Sequence, residues 1–198
     1  MKNYIVVFFF LGLFSSNCSF AQFKQVIADE VENNAKIPGR TFRIYLELTN
    51  KNDQIFMVYG DKENPLEITS TKPFFQSDFG GPMSRDVNRK MAASNDSLRF
   101  DSWITIGADD NYDNNLSQLN LDLKDFEEKG GAIKTNDGAW FCVPTDKQVF
   151  CKEDKRMLVM QLTTAGELNA TFNIMGRTAA GENFQVKDIK VVAGKKKK

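Results

Sequence analysis

The chain has 198 residues, 41% of them hydrophobic, with 26 basic and 26 acidic residues and no histidine. That length fits one domain with a sizeable core. The missing histidine removes Ser-His-Asp and Cys-His nucleophilic catalysis, His-ligated zinc and histidine pH switching, and the balanced charge removes the basic footprint of a nucleic-acid binder.

The chain opens with Met1-Lys2, an apolar run over 5–14, and Ser19-Phe20-Ala21. This is the layout of a secretory signal peptide over 1–21, cleaved before Gln22. The run is shorter than the roughly 20 apolar residues that span a bilayer. Cys18 offers a rival reading as an acylated lipoprotein cysteine, but Asn17 stands where that signal wants a small residue. Removing 21 residues from 198 leaves 177, with 25 basic against 26 acidic groups. Setting aside the terminal lysines at 195–198 leaves 21 against 26, a body charge of −5. The lysine tail reads as a solvated, disordered end.

Residues 22–34 carry Val26, Ile27 and Val31, an indistinct first strand or arm, and 37–39 is a turn. Over 41–49, Phe42, Ile44, Leu46 and Leu48 alternate with Arg43, Tyr45 and Glu47, which predicts a strand with one wet face. Further strands are expected at 54–59 and 66–70, separated by Asn-, Asp- and Gly-containing turns. Residues 72–82 are irregular and aromatic, and 84–93 can form one short helix capped by Ser84. A long strand over 98–107 follows, ending at Gly107 and opening into the acidic loop 108–115. Trp103 is out of parity with Phe100, Ile104 and Ile106, so it faces outward or caps a second core. Leucines 119, 121 and 123 alternate with polar residues, 125–129 can make a helical turn, and Asn136-Asp137-Gly138 signals a hairpin. Strands at 138–143, 157–164, 168–175 and 183–192 complete the chain. The expected fold is all-β, an antiparallel two-sheet sandwich, jelly-roll-like, of about nine strands over a single domain at 22–194.

Cys142 and Cys151 remain after cleavage, and an even pair in an exported chain predicts a disulfide. Closing that short loop would contribute about 2.5–3 kcal/mol. Asp109, Asn111 and Asp113 place oxygen ligands at every second residue, the opening of a calcium loop, although Asn114 and Asn120 stand where an EF-hand wants Gly and Glu. The alternative is a solvated turn-rich loop. No cofactor is required otherwise. Tyr112 and Trp103 are the candidate stacking platform for a glycan, against the ordinary role of strand aromatics as core. Paired carboxylates for glycoside hydrolysis are not singled out by any context.

Thr41-Phe-Arg-Ile-Tyr, Val58-Tyr-Gly-Asp with Pro65-Leu66, Asp101-Ser-Trp-Ile-Thr-Ile-Gly, Gly138-Ala-Trp-Phe and Leu158-Val-Met-Gln-Leu-Thr-Thr stand in this order along most of the mature chain. The succession resembles an uncharacterised secreted β-module of marine and flavobacterial surface proteins. Such proteins often end in a type IX secretion sorting domain, where this chain has its lysine tail. The resemblance implies an extracellular module without an assigned activity, in the periplasm or on the outer surface. The expected function is therefore a non-catalytic exported protein contacting a protein or glycan partner at the cell surface. A carbohydrate-binding module and a glycan hydrolase with an acidic site are the alternatives.

Overall fold

The computed structural model describes residues 22–33 and 37–195. The expected signal peptide lies outside these residues, as do three of the four terminal lysines. Among the described residues eleven strands form two antiparallel sheets, so the expected sandwich class is observed. The four-stranded sheet runs β1 (Phe23–Val31), β2 (Arg40–Leu48), β9 (Arg156–Thr164), β5 (Trp103–Ile104). The seven-stranded sheet is built on β10 (Leu168–Arg177). One edge of β10 pairs with β11 (Asn183–Ala193). Its other partners are β3 (Gln54–Tyr59), against its second half, and β4 (Leu66–Ser70), against its first. From there β8 (Ala139–Phe141) and β6 (Ser117–Leu119) extend β3, and β7 (Ile133–Thr135) extends β4. Among the described residues no helix is long and apolar enough to cross a membrane.

Strand alternation sends one face of each sheet inward. Phe42, Ile44, Leu46 and Leu48 of β2 share one core with Leu168, Ala170, Phe172 and Ile174 of β10. Trp140 is fully buried in it and donates its indole N–H to the Thr105 carbonyl at 2.9 Å, tying β8 to the segment after β5. A bulge decides what lies behind the four-stranded sheet. Ile44 pairs with Met160 but Tyr45 pairs with Leu158, so Val159 is the extra residue. Val159 and Met160 both enter the main core, while Leu158 joins a second cluster with Val87, Leu98 and Trp103.

The segment 84–115 covers that second cluster, and here the structure departs from the expected elements. The helix expected at 84–93 is a single 3-10 turn, Ser84–Asp86, followed by α1 (Arg89–Ala92). Asn88 is the cap, accepting from the Lys90 and Met91 N–H groups, whereas the Ser84 hydroxyl is buried against Thr105 Oγ1 at 2.7 Å. The long strand expected over 98–107 shortens to β5, because Asn95 caps a further turn, α2 (Asp96–Arg99), that absorbs its start. Likewise only β6 remains of the strand expected around 119–123; Leu121 and Leu123 turn into the main core ahead of α3 (Lys124–Lys129).

Asp101 fastens the aromatic loop 72–82 to this cover. Its Oδ1 accepts from the Ser77 and Ser102 N–H groups at 2.8 and 2.9 Å. Its Oδ2 would lie 2.0 Å from a Cβ at position 80, so only glycine lets the loop approach. Phe74 is thereby seated in the main core, edge-on to Phe126 with ring centroids 5.6 Å apart.

The expected Cys142–Cys151 disulfide is not formed: both residues are free, buried thiols. Both flank β3. The Cys142 N–H donates to the Phe56 carbonyl at 3.0 Å and the Cys151 N–H to the Asp53 carbonyl at 2.8 Å. Three residues along a strand is about 10 Å, beyond the roughly 7 Å between Cα atoms that a disulfide spans. Burial pushes each thiol up to about 12, so both are protonated packing groups.

Candidate functional site

On β2 the residues out of phase with the core point behind the four-stranded sheet. Arg43 therefore stands beside the cover, with Gln161 of β9 next to it. The Gln161 amide donates to the carbonyls of Arg99 and Asp101 at 3.0 and 2.8 Å, and the Thr163 hydroxyl donates to that of Phe100 at 2.6 Å. These bonds bring the end of α2 onto the sheet. α1 and α2 then deliver Arg89 and Arg99 to the rim, facing Arg43. Asn111 closes the loop by donating its N–H to the Val87 carbonyl at 2.9 Å.

The result is a hollow of about 180 Å³ lined by Arg43, Arg89, Arg99, Trp103, Asp109 and Asp110, with apolar walls from the second cluster. A second hollow of about 180 Å³ adjoins it, sharing Arg43 and Asp109 and adding Tyr45, Lys152, Asp154 and Arg156. Together they form a trough across the back of the sheet, with the Arg43–Asp109 pair between its halves. Carboxylates hold the guanidinium groups in place. Arg43 reaches Asp109 at 3.4 Å and Gln161 Oε1 at 2.9 Å; Arg89 is bonded to Asp110; Arg156 reaches Asp29 at 2.9 Å. Two rings lie beneath guanidinium groups: Tyr112 under Arg89 at 4.6 Å and Tyr45 under Arg156 at 5.8 Å.

The acidic loop thus belongs to this site, although its residues act differently from the calcium-loop expectation. Asp109 turns to Arg43, the Asn111 amide oxygen accepts from the Arg89 N–H at 3.3 Å, and Asp113 is exposed with a left-handed φ of 48°. Among the described residues no three acidic or cysteine side chains are grouped to hold a metal ion. Tyr112 is 62% exposed, with one side of its ring beneath the Arg89 guanidinium. Trp103 is 1% exposed, so it offers no face for stacking; it is the centre of the second core. Its indole N–H, within the wall of the first hollow, has no hydrogen-bond acceptor.

The arginines were not singled out by sequence, because the members lie at 43, 89, 99 and 156 and no spacing links them. The one available signal was Arg43 in phase with Tyr45 on the wet face of β2. Asp101 was also missed. Burial pushes its carboxyl up to about 8, with the Glu127 charge adding to the effect against the Ser77 and Ser102 N–H bonds. It sits under Gly80, away from both hollows. Comparison of the chain with protein-family models, with curated proteins and with solved structures finds no match.

Proposed function

We propose that this chain is an exported, non-catalytic binding protein of the cell envelope or extracellular surface, and that it makes its contacts through the trough behind the four-stranded sheet. The observation that carries this reading is the trough's construction. Guanidinium groups on three separate elements converge at one rim, each oriented by a carboxylate or a ring, yet Arg89 and Arg99 keep about half of their side-chain surface in water (57% and 49%). Ion pairs at such exposure contribute little stability, about 0–1 kcal/mol, so folding alone gives small reason to gather them. The leader-like residues 1–21 support export. Asp101, the carboxyl with the most altered acidity, supports the non-catalytic reading, because it is enclosed and spends one oxygen on two backbone N–H groups.

The test is sedimentation of the mature protein with isolated envelopes of the producing cell. Saturable binding is expected, weakened about tenfold or more by the double variant Arg89→Glu, Arg99→Glu at unchanged melting temperature. Binding that ignores these changes, or turnover of an envelope glycan, overturns the reading.

A further inference from the structure

We infer that the trough takes an acidic polysaccharide, its anionic groups held by the arginines and its hydroxyls by the aspartates between them. This rests on the binding surface proposed above and names its ligand. Charge is the first argument. The two hollows together carry five cations, Arg43, Arg89, Arg99, Lys152 and Arg156, against three acids, Asp109, Asp110 and Asp154. That is a surplus of +2 among the lining side chains, with Asp29 beside Arg156 and Asp96 beside Arg99 lying just outside them, on a protein body whose total is −5. A positive patch on an acidic body draws an anion to that place and repels it elsewhere.

Donor chemistry is the second argument. A guanidinium has five N–H donors in a planar fork that fits carboxylate or sulfate oxygens in pairs. Bonds within the protein use two donors on Arg43, through Gln161 and Asp109, one on Arg89, through Asp110, and one on Arg99, through the Ala93 carbonyl, with Asp96 also 3.8 Å from the Arg99 guanidinium. The remainder are available to a ligand. The Tyr112 and Tyr45 rings fix two of the guanidinium planes, so less freedom is lost on binding.

The third argument separates an acidic sugar from an acidic peptide. Interleaved with the cations, the exposed Asp109 and Asp154 are acceptors only, while Asp110 spends its oxygens on Arg89 and the Tyr112 N–H. A uronate or sulfated sugar carries hydroxyl donors beside each anionic group and satisfies both kinds of partner. A run of glutamates has no side-chain donor for these aspartates and meets them as like charges. Size agrees: each hollow is smaller than the roughly 300–1,000 Å³ of pockets for drug-sized ligands, and two adjoining small hollows suit successive rings of a chain. Tyr112 at the rim adds an exposed ring on which a sugar face can lie.

The experiment is calorimetric titration of the mature protein with four probes: tetragalacturonate, a sulfated galactan tetrasaccharide, the neutral galactose tetrasaccharide and tetraglutamate. One or both acidic sugars should bind about tenfold or more tighter than the neutral sugar and the peptide, the tighter of the two identifying carboxylate or sulfate as the anion. High salt should weaken that binding. Arg89→Gln, at an exposed position, should weaken it without moving the melting temperature, and Arg43→Gln should add to the loss. Equal binding of the neutral sugar, preference for tetraglutamate, or no binding of either acidic sugar overturns the inference. If the acidic sugars fail while envelope binding is still lost in the Arg89→Glu, Arg99→Glu protein, the ligand assignment falls and the binding surface stands. If both fail, both fall.

Discussion

The two faces of the four-stranded sheet are buried by different means. The front packs Phe42, Ile44, Leu46 and Leu48 against the regular strands of the other sheet, so each side is repetitive and apolar. The back buries Trp103 and Leu158 beneath a segment with almost no regular structure. That segment is fastened by Gln161, Thr163, Asn88, Asn95 and Asp101, each bonding to backbone groups. The front therefore draws its stability from area removed from water. The back depends on buried polar groups finding their partners, where a lost bond costs more than a made one contributes. A cover built this way can carry a rim of arginines, because α1 and the acidic loop, unlike 100–106, commit no side chain to a dry interior.

Phe172→Ala on the front should cost about 3–5 kcal/mol and lower the melting temperature by roughly 10 °C for a chain of this length. The loss should appear in hydrogen exchange across both sheets. Leu98→Ala on the back should cost less, about 2–3 kcal/mol, with faster exchange confined to 84–115. Exchange rising equally in both sheets would show that the faces unfold as one unit and end the distinction.

The third effect is the pH dependence introduced by Asp101. Its folded acidity lies at about 8 against an ordinary 3.8, so the folded state holds the proton more tightly than the unfolded state. Its contribution is complete below pH 4 and declines as pH rises toward 8, by up to about 1.4 kcal/mol per unit. Asp101→Asn keeps the oxygen that accepts from Ser77 and Ser102 and removes the titration. Denaturant melts between pH 5 and 8 should slope downward for the natural protein and less steeply for this variant, in which the raised Glu127 carboxyl still titrates. Equal slopes would place the proton elsewhere.

What could be read from the sequence follows the same division. The strands at 41–49 and 168–175 were legible because a sheet with one buried face imposes a period of two, and those at 54–59 and 157–164 because a strand covered on both faces reads as a short apolar run between turns. Trp103 was legible only in part: its parity against Ile104 and Ile106 left an outward face or a second core open, and burial decides for the core. The cover was not. Asn88, Asn95 and Asp101 set its path through caps and side-chain bonds, which have no period and compete with the strand pattern over 98–107. The trough was illegible for a related reason: β2, the cover and the start of β9 meet only once the sheet has formed. Cysteine count and chain spacing were equally blind to the distance between Cys142 and Cys151, which pairing along β3 determines.

Those two sulfurs bear on how the chain attains its shape. A covalent staple would have made folding wait on an oxidant. Here both sulfurs are buried in the main core, and that of Cys142 accepts from the Gln148 amide at 2.9 Å. The described fold therefore crosses this loop by packing and hydrogen bonds, with no covalent link between the two sulfurs.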